Sequence, residues 1–295
     1  MMKDPRFAPV KIEQEERLPE KKKAPVKGFP YISFTLLGII ILCCIFADII
    51  AAKDPAEINL QSFSSAPCRE FIFGTDSLGR DIFSCLLHGG RISIFIGLFA
   101  TAISTVIAII YGTISGLAPA WADAAMMRLT EIMLSIPSLL TVIFLQSILG
   151  EASVISISAV IGVTGWFSMA KVIRTEVKQL KSSEYVLASR ALGGNLFHIL
   201  RVHLLPNFIP SIMFMVVMNV SSAIAAESAL SFMGLGLPLD VISLGSMLSL
   251  AQNALTAGLW WIILIPGVFL VVILMSMTEI GSWLRKRANR KNAMM

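Results

Sequence analysis

The chain has 295 residues, 56% of them hydrophobic and only 15% charged, with a mean hydropathy of +0.78. Average soluble domains carry roughly 25% charge, so this composition excludes an ordinary water-solvated globule and points to a chain solvated by lipid. The net charge of +5 follows from where lysine and arginine lie along the chain and is no sign of a nucleic-acid partner.

Residues 1–30 mix Lys, Glu and Pro with few large apolar groups, too few to offset the entropy of ordering, so a disordered tail is expected. The first apolar run, Tyr31 to Ala52, is close to the roughly 20 residues that span a bilayer. A cleaved secretory leader ending at Ala51 or Ala52 is the rival reading; the length of the run and the glutamates before it favour a retained helix over 31–52. Residues 53–91 form an expected external loop carrying Pro55, Pro67 and the turn-rich string Phe73-Gly74-Thr75-Asp76-Ser77-Leu78-Gly79-Arg80-Asp81. It is too long for a simple connection and should pack on the outer face of the bundle or on a partner.

Five more apolar runs follow within 92–283: Ile92 to Ala118, Ile132 to Leu149, Val154 to Ile173, Ile209 to Met233 and Leu259 to Trp283. The expected fold is therefore all-α, a polytopic membrane protein with six transmembrane helices and a basic tail over 284–295. Cationic loops resist translocation. All but Lys53, Arg69, Arg80 and Arg91 of the 24 basic residues lie in the first tail, around Arg128, between Lys171 and Arg201, or after Trp283. Both termini are thus expected in the cytoplasm, which requires an even number of spans.

Within the spans, Pro137 removes a backbone donor and should kink the third helix; a structural kink and a cavity-lining one are both open readings. Gly97, Gly112 and Gly116, with Ala223, Ala225 and Ala226, permit close helix packing in lipid. Asp48 and Glu279 lie near span ends. Glu227 is deeper, where a carboxylate is either a gating, pathway or ion-coupling group or a hydrogen-bonded structural one. Cys43 and Cys44 sit in the first run, while Cys68 and Cys85 share the external loop, where two free thiols are favoured over a disulfide. Neither pair stands at metal-ligand spacing with a histidine, and His88, His198 and His203 form no catalytic arrangement, so no metal or cofactor is expected.

The polar, helix-prone segment within 174–206 carries the most information. Serine at 182 or 183 suits a helix cap, Glu184 suits the positive helix end, and Gly193 or Gly194 suits a left-handed stop. The helix between them places Leu187 and Ala191 on one ridge and Ala188 and Leu192 on another. Its small residues, Ala188, Ser189 and Ala191, would admit another protein's surface; resting on lipid headgroups is the alternative.

This segment resembles the cytoplasmic signature of the permease subunits of ATP-binding cassette importers, specifically the second, C-type permease of the dipeptide, oligopeptide and nickel group. The family pattern, Glu-Ala-Ala, three residues, Gly, then Leu-Pro some twelve residues on, stands here as Leu187-Ala188-Ser189, Gly193 and Leu205-Pro206. Leu187 replaces the family glutamate and Ser189 the second alanine. Glu184-Tyr185-Val186 and Arg190-Ala191-Leu192 are also similar, as are Gly74-Thr75-Asp76 with Gly79-Arg80-Asp81, Ser135-Ile136-Pro137-Ser138, the stretch from Glu227 to Gly236, and Ser243 to Leu248. Thr278 to Trp283 departs from the family's usual finish.

The resemblance implies the type I importer permease fold in a bacterial cell membrane. The implied partners are a second permease subunit, two cytoplasmic ATP-binding subunits and an extracytoplasmic substrate-binding protein, with peptide as cargo and nickel or a metal chelate as the alternative. No GxxxxGK[ST] phosphate loop occurs, so ATP hydrolysis is expected in the partners and the chain is not read as an enzyme. A secondary transporter coupled through Glu227 is the reading from another class; an intramembrane enzyme is disfavoured by the lack of paired aspartates, HExxH or a Ser/His couple.

Overall fold

The computed structural model describes residues 29–51, 53–193, 195, 198–238, 240–254 and 257–292. The expected tail, 1–30, falls outside them except for Phe29 and Pro30. Among the described residues the chain is helical, and the sole β feature is an isolated bridge between Thr75 and Asp81. In chain order the helices are α1 (Tyr31–Ile45), α2 (Ala47–Ile50), α3 (Ile82–Leu117), α4 (Ala120–Ser135), α5 (Ser138–Leu149), α6 (Val154–Thr164), α7 (Phe167–Lys181) and α8 (Glu184–Ala191). After a π-helical stretch, Ile199–Leu204, come α9 (Leu205–Phe232), α10 (Leu244–Leu250) and α11 (Trp260–Asn292).

The six apolar runs do not all become unbroken spans. Three helices, Ile82–Leu117, Phe208–Phe232 and Trp260–Ala288, are each long and apolar enough to cross a membrane. The third and fourth runs each lie in a bent pair: α4 meets α5 at 90° and α6 meets α7 at 45°. The first is shorter than expected, 15 residues in α1, followed by the single turn of α2.

The cause of the sharper bend is local. Proline disfavours a helical residue before it, and Ile136 is accordingly extended at φ −88° and ψ 130°. What the sequence suggests as a kink is a break in the helix. The second bend falls at Gly165 and Trp166, where Gly165 closes α6 and its amide donates to Gly162. The apolar runs also leave out the polar first half of α4 and the short α10, because neither is an apolar stretch of span length. α3 starts at Ile82 rather than Ile92, since Asp81 caps it by accepting from the Ser84 amide.

α3 is the hub of the bundle, packed against α6, α7 and α9, while α11 packs on α9 and α1. Its buried face carries Gly97, Ala100, Thr101, Ser104, Ala108 and Gly112, whereas Phe95, Leu98, Val106, Ile110 and Ile114 point outward. Small residues inside and large apolar residues outside is the pattern of a helix solvated by lipid, where contact depends on close packing rather than on expelling water. At Gly112 a Cβ would lie 2.7 Å from the Ala170 carbonyl oxygen and 2.9 Å from Ile173 Cβ, so α7 approaches to a distance only glycine permits.

Gly112→Val is expected to push α7 off α3 and destabilise the fold by about 1–3 kcal/mol, the usual cost of overpacking. Thermal unfolding of the detergent-solubilised protein measures it; an unchanged midpoint would contradict this contact.

Candidate functional site

Among the described side chains of α8, Val186 alone is buried. Val186 is fully buried among Ile173 and Val177 of α7, Ile199 and Leu204 of the π-helical stretch, and Phe208 of α9. Glu184, Ala188 and Ala191 are exposed, and Leu192 just past the helix is 89% exposed. Gly193 closes the segment at φ +85°, and nothing lies within 4 Å of where its Cβ would be. The side chains of Tyr185, Leu187 and Arg190 lie outside what the structure describes, as does Gly194.

Ahead of α8, Ser182 and Ser183 donate backward, to the carbonyls of Gln179 at 2.9 Å and Leu180 at 2.6 Å. They satisfy the orphan carbonyls at the end of α7, which leaves a tight joint between α7 and α8. Beyond the loop the π-helical stretch runs straight into α9, so Leu205 and the exposed Pro206 lie in its first turn.

α7 is tied to the rest by charge. Asp123, in the first turn of α4, accepts from the Arg174 guanidinium, with Nη2 at 2.5 Å, from Lys178, and from Ser115 Oγ of α3 at 2.7 Å. Asp123, Arg174 and Lys178 lie between the apolar runs. The Arg174 guanidinium holds the Asp123 carboxyl well below the usual carboxylate range, so the pair stays ionised at neutral pH. Farther along α4, Glu131 is 3.2 Å from Arg128 and 4.0 Å from Lys171 of α7. α4 and α7 are thus riveted along one side, and α4 leads directly to the break at Pro137.

Glu227 is fully buried on α9, where Ser231, Ser243 and Ser93 donate to it at 2.9, 2.7 and 3.0 Å. Ser243 also caps α10 in a reciprocal box with Ser246, and the Leu244 amide donates to Ser93 Oγ at 3.2 Å. One carboxylate therefore joins α3, α9 and the start of α10. It is saturated with hydroxyl donors, and no cation stands among the partners named.

The external string is a compact knot. Asp76 accepts from the amides of Leu78 and Arg80 at 2.8 and 2.9 Å, and from Arg80 Nε at 2.8 Å, with both side chains buried. Thr75 accepts from the Ser65 amide at 2.7 Å and donates to the Ser62 carbonyl, and its own carbonyl accepts from Trp261 Nε1 of α11 at 3.3 Å. Gly74 and Gly79 both have positive φ, and a Cβ on Gly79 would fall 1.9 Å from the Asn59 carbonyl oxygen. Asp81 caps α3. The motif pins the loop between the starts of α3 and α11. Nearby, Arg91 donates to the Cys44 and Ile45 carbonyls and to Asp48, each at 2.9 to 3.0 Å, so Asp48 is held in an ion pair. Glu279 accepts from Ser33 of α1. Cys68 is exposed, Cys85 buried, and both are free thiols.

Pro137 lies on the wall of a cavity of about 530 Å³, between the α4–α5 break and the α6–α7 bend. Of the residues singled out from the sequence, Ser135, Ile136, Pro137 and Ser138 stand there; Glu227 is held in its serine cluster, and the α8 residues and the external knot are separate groups. Sequence reasoning missed Asp123, Arg174 and Lys178 as a unit, and Ser93 and Ser243 as partners of Glu227. A hydrophilic residue on an otherwise apolar face was the available signal at Ser93; nothing in the spacing links it to positions far along the chain.

Residues 108–290 match the family described as binding-protein-dependent transport system inner membrane component. The chain is 37% identical to the oligopeptide transport system permease protein OppC of Bacillus subtilis (strain 168), over 88% of this chain and 85% of that protein. It is 35% identical to the dipeptide transport system permease protein DppC of the same organism, over 87% and 81% of the two chains. The di/tripeptide transport system permease protein DppC of Pseudomonas aeruginosa (strain UCBPP-PA14) is 32% identical over 86% and 85%.

Glu227→Leu is expected to strand three buried hydroxyls and destabilise the protein by about 3 kcal/mol, whereas Glu227→Gln, which keeps an acceptor, should cost about 1 kcal/mol. Thermal unfolding in detergent separates the two. Asp123→Asn should cost about 1–2 kcal/mol, moderated because Arg174 and Lys178 are partly solvated; equal stability of this variant and the parent would rule out the rivet.

Proposed function

This chain belongs to the family of binding-protein-dependent transport system inner membrane components, and from that membership we propose that it is a permease subunit of an ATP-binding cassette importer of dipeptides and oligopeptides. The observation that carries the cargo class is the identity of 32–37%, along more than four fifths of the chain, to permeases named for oligopeptide, dipeptide and di/tripeptide transport. The nickel alternative draws no support from these relatives.

In this reading the chain is a gate without its own energy source. A second permease completes the path, two cytoplasmic ATP-binding subunits drive it, and an extracytoplasmic binding protein delivers peptide. Both termini and α8 face the cytoplasm, in line with the concentration of lysine and arginine there.

Coupling runs through α8. Its exposed face is Glu184, Ala188, Ala191 and Leu192, small enough at the alanines for a partner to approach the helix backbone and with one large apolar knob beside them. Gly193 lets the chain turn away at once. Displacement of α8 acts on α7 through Val186 and the tight Ser182–Ser183 joint, and on α4 through Asp123. The ATP-binding subunits move the gate only to the extent that they bind its two packings with different affinity.

Three serine hydroxyls hold Glu227, which supports a structural carboxylate joining helices over the ion-coupling group that a secondary transporter would need.

Two measurements test the proposal. Deleting this subunit from its host should abolish peptide uptake while leaving proton-gradient-driven uptake of other solutes intact. Replacing Gly193 by Trp, which strains the turn and fills the open space beside α8, should cut peptide uptake per ATP hydrolysed by about tenfold, equivalent to roughly 1.4 kcal/mol of coupling. A Gly193→Trp importer that couples as well as the parent would remove α8 from the coupling path.

A further inference from the structure

We propose that Arg285, Lys286 and Arg287, near the end of α11, form a seat for the headgroups of anionic phospholipids. This inference rests on the membrane placement of α11 and goes beyond the transport reading, which stands or falls without it.

Depth decides where these cations act. α11 runs for 33 residues, about 50 Å of helix, well beyond the roughly 30 Å of a bilayer's hydrocarbon core. Its tryptophans mark the part that lies inside. Trp260, 56% exposed, opens the helix, and Trp283 follows about 35 Å further along the axis. Tryptophan side chains collect at the two membrane interfaces, and this spacing matches them. At the far interface Trp283 meets Phe29 edge-on, with ring centres 5.0 Å apart, and Phe29 lies 4.8 Å from Tyr31 and 5.5 Å from Phe34, both exposed. The three cations come about 3–6 Å beyond this aromatic belt, within the headgroup layer.

They are held in place but not neutralised. The Arg285 guanidinium lies 5.6 Å from the ring centre of Phe214 on α9, and that of Arg287 lies 5.2 Å from the ring centre of Trp283. Such contacts orient a guanidinium without cancelling its charge. All three side chains are exposed, and among the described residues none of them meets a carboxylate. No Asp or Glu follows Glu279 in the sequence, and Glu279 itself accepts from Ser33. Elsewhere the cations near the ends of the bundle are matched: Arg91 by Asp48, Arg128 by Glu131, and Arg174 and Lys178 by Asp123. Arg290 and Lys291 come before the helix ends and add charge of the same sign.

The counter-charge available at that depth is lipid phosphate. A planar guanidinium can bond two phosphate oxygens at once, and basic clusters just outside a membrane span draw anionic headgroups. A zwitterionic headgroup brings its own cation and gains less from an unmatched cluster. An acidic protein surface would have to enter the headgroup layer and displace lipid from Tyr31, Phe34 and Trp283 to reach the same charges.

The test places the full chain in vesicles of phosphatidylcholine and phosphatidylglycerol, one or the other lipid carrying brominated acyl chains that quench tryptophan fluorescence. The share of quenching that Trp283→Phe removes reports the lipid beside the end of α11. By that signal the parent should prefer phosphatidylglycerol about tenfold at low salt, and inorganic phosphate should weaken the preference no more than chloride at equal ionic strength. Replacing Arg285, Lys286 and Arg287 together by Gln should abolish it, whereas Arg285→Lys with Arg287→Lys, which keeps the charge, should retain it. Equal quenching by the two lipids in the parent, or a preference that the triple Gln variant keeps, would overturn the seat. So would a preference that appears only once residues 1–28 are removed, which would give the cations to the tail's own glutamates. A triple variant with parental lipid preference that fails only to hold the ATP-binding subunits would give them to an acidic protein surface instead.

Discussion

Inside hydrocarbon a backbone carbonyl that loses its amide partner finds no water to replace it, and this constraint decides where the chain may bend. The two bent pairs obey it. At the first, Ser135 Oγ donates to the Glu131 carbonyl at 2.9 Å as α4 ends; at the second, Thr164 Oγ1 covers the Val160 and Ile161 carbonyls at 2.9 and 3.1 Å as α6 ends. Hydroxyls gather at the breaks because the breaks need them. The same hydroxyls line the seam between the pairs, so the requirement that permits the bends also furnishes the cavity walls.

Away from the seam two kinds of contact hold the helices. Trp261, the external knot and the Glu227 cluster tie together α3, the start of α11, the last turns of α9 and the start of α10 through buried hydrogen bonds. On the α8 side, apolar packing around Val186 and the ion pairs of Asp123 join α8, α7 and α4. These helices meet α3 through small-residue contacts such as Gly112 against Ala170 and Ile173, and through Ser115 on Asp123. Packed surfaces of this sort have discrete alternative arrangements rather than continuous give, as the proposed gate requires.

The position of the α4–α5 break relative to the rivet follows from the same geometry. α4 is clamped at its beginning by Asp123 and again near its end by Glu131, and then stops at Ser135. The contacts of α4 with α7 thus lie on the same helix that ends at the cavity wall beside Pro137. Glu227, by contrast, belongs to the hydrogen-bonded contacts; its hydroxyl partners sit on three separate elements that must stay in register for the cluster to exist.

Sequence alone was enough to establish an all-helical, lipid-solvated chain, the places of its six apolar runs, and a glycine-terminated helix between the fourth and fifth of them. Hydropathy and the backbone preferences of Gly and Pro are local properties and are legible residue by residue. Even the family was legible, because the string from Phe73 to Asp81 and the segment from Glu184 to Pro206 are contiguous. Tertiary structure alone decided that Pro137 breaks its helix by 90° rather than kinking it, that Asp123 meets Arg174 and Lys178, and that Glu227 is shared by Ser93, Ser231 and Ser243. Each of these depends on residues far apart in the chain being brought within a few ångströms, and no local preference of either partner carries that information.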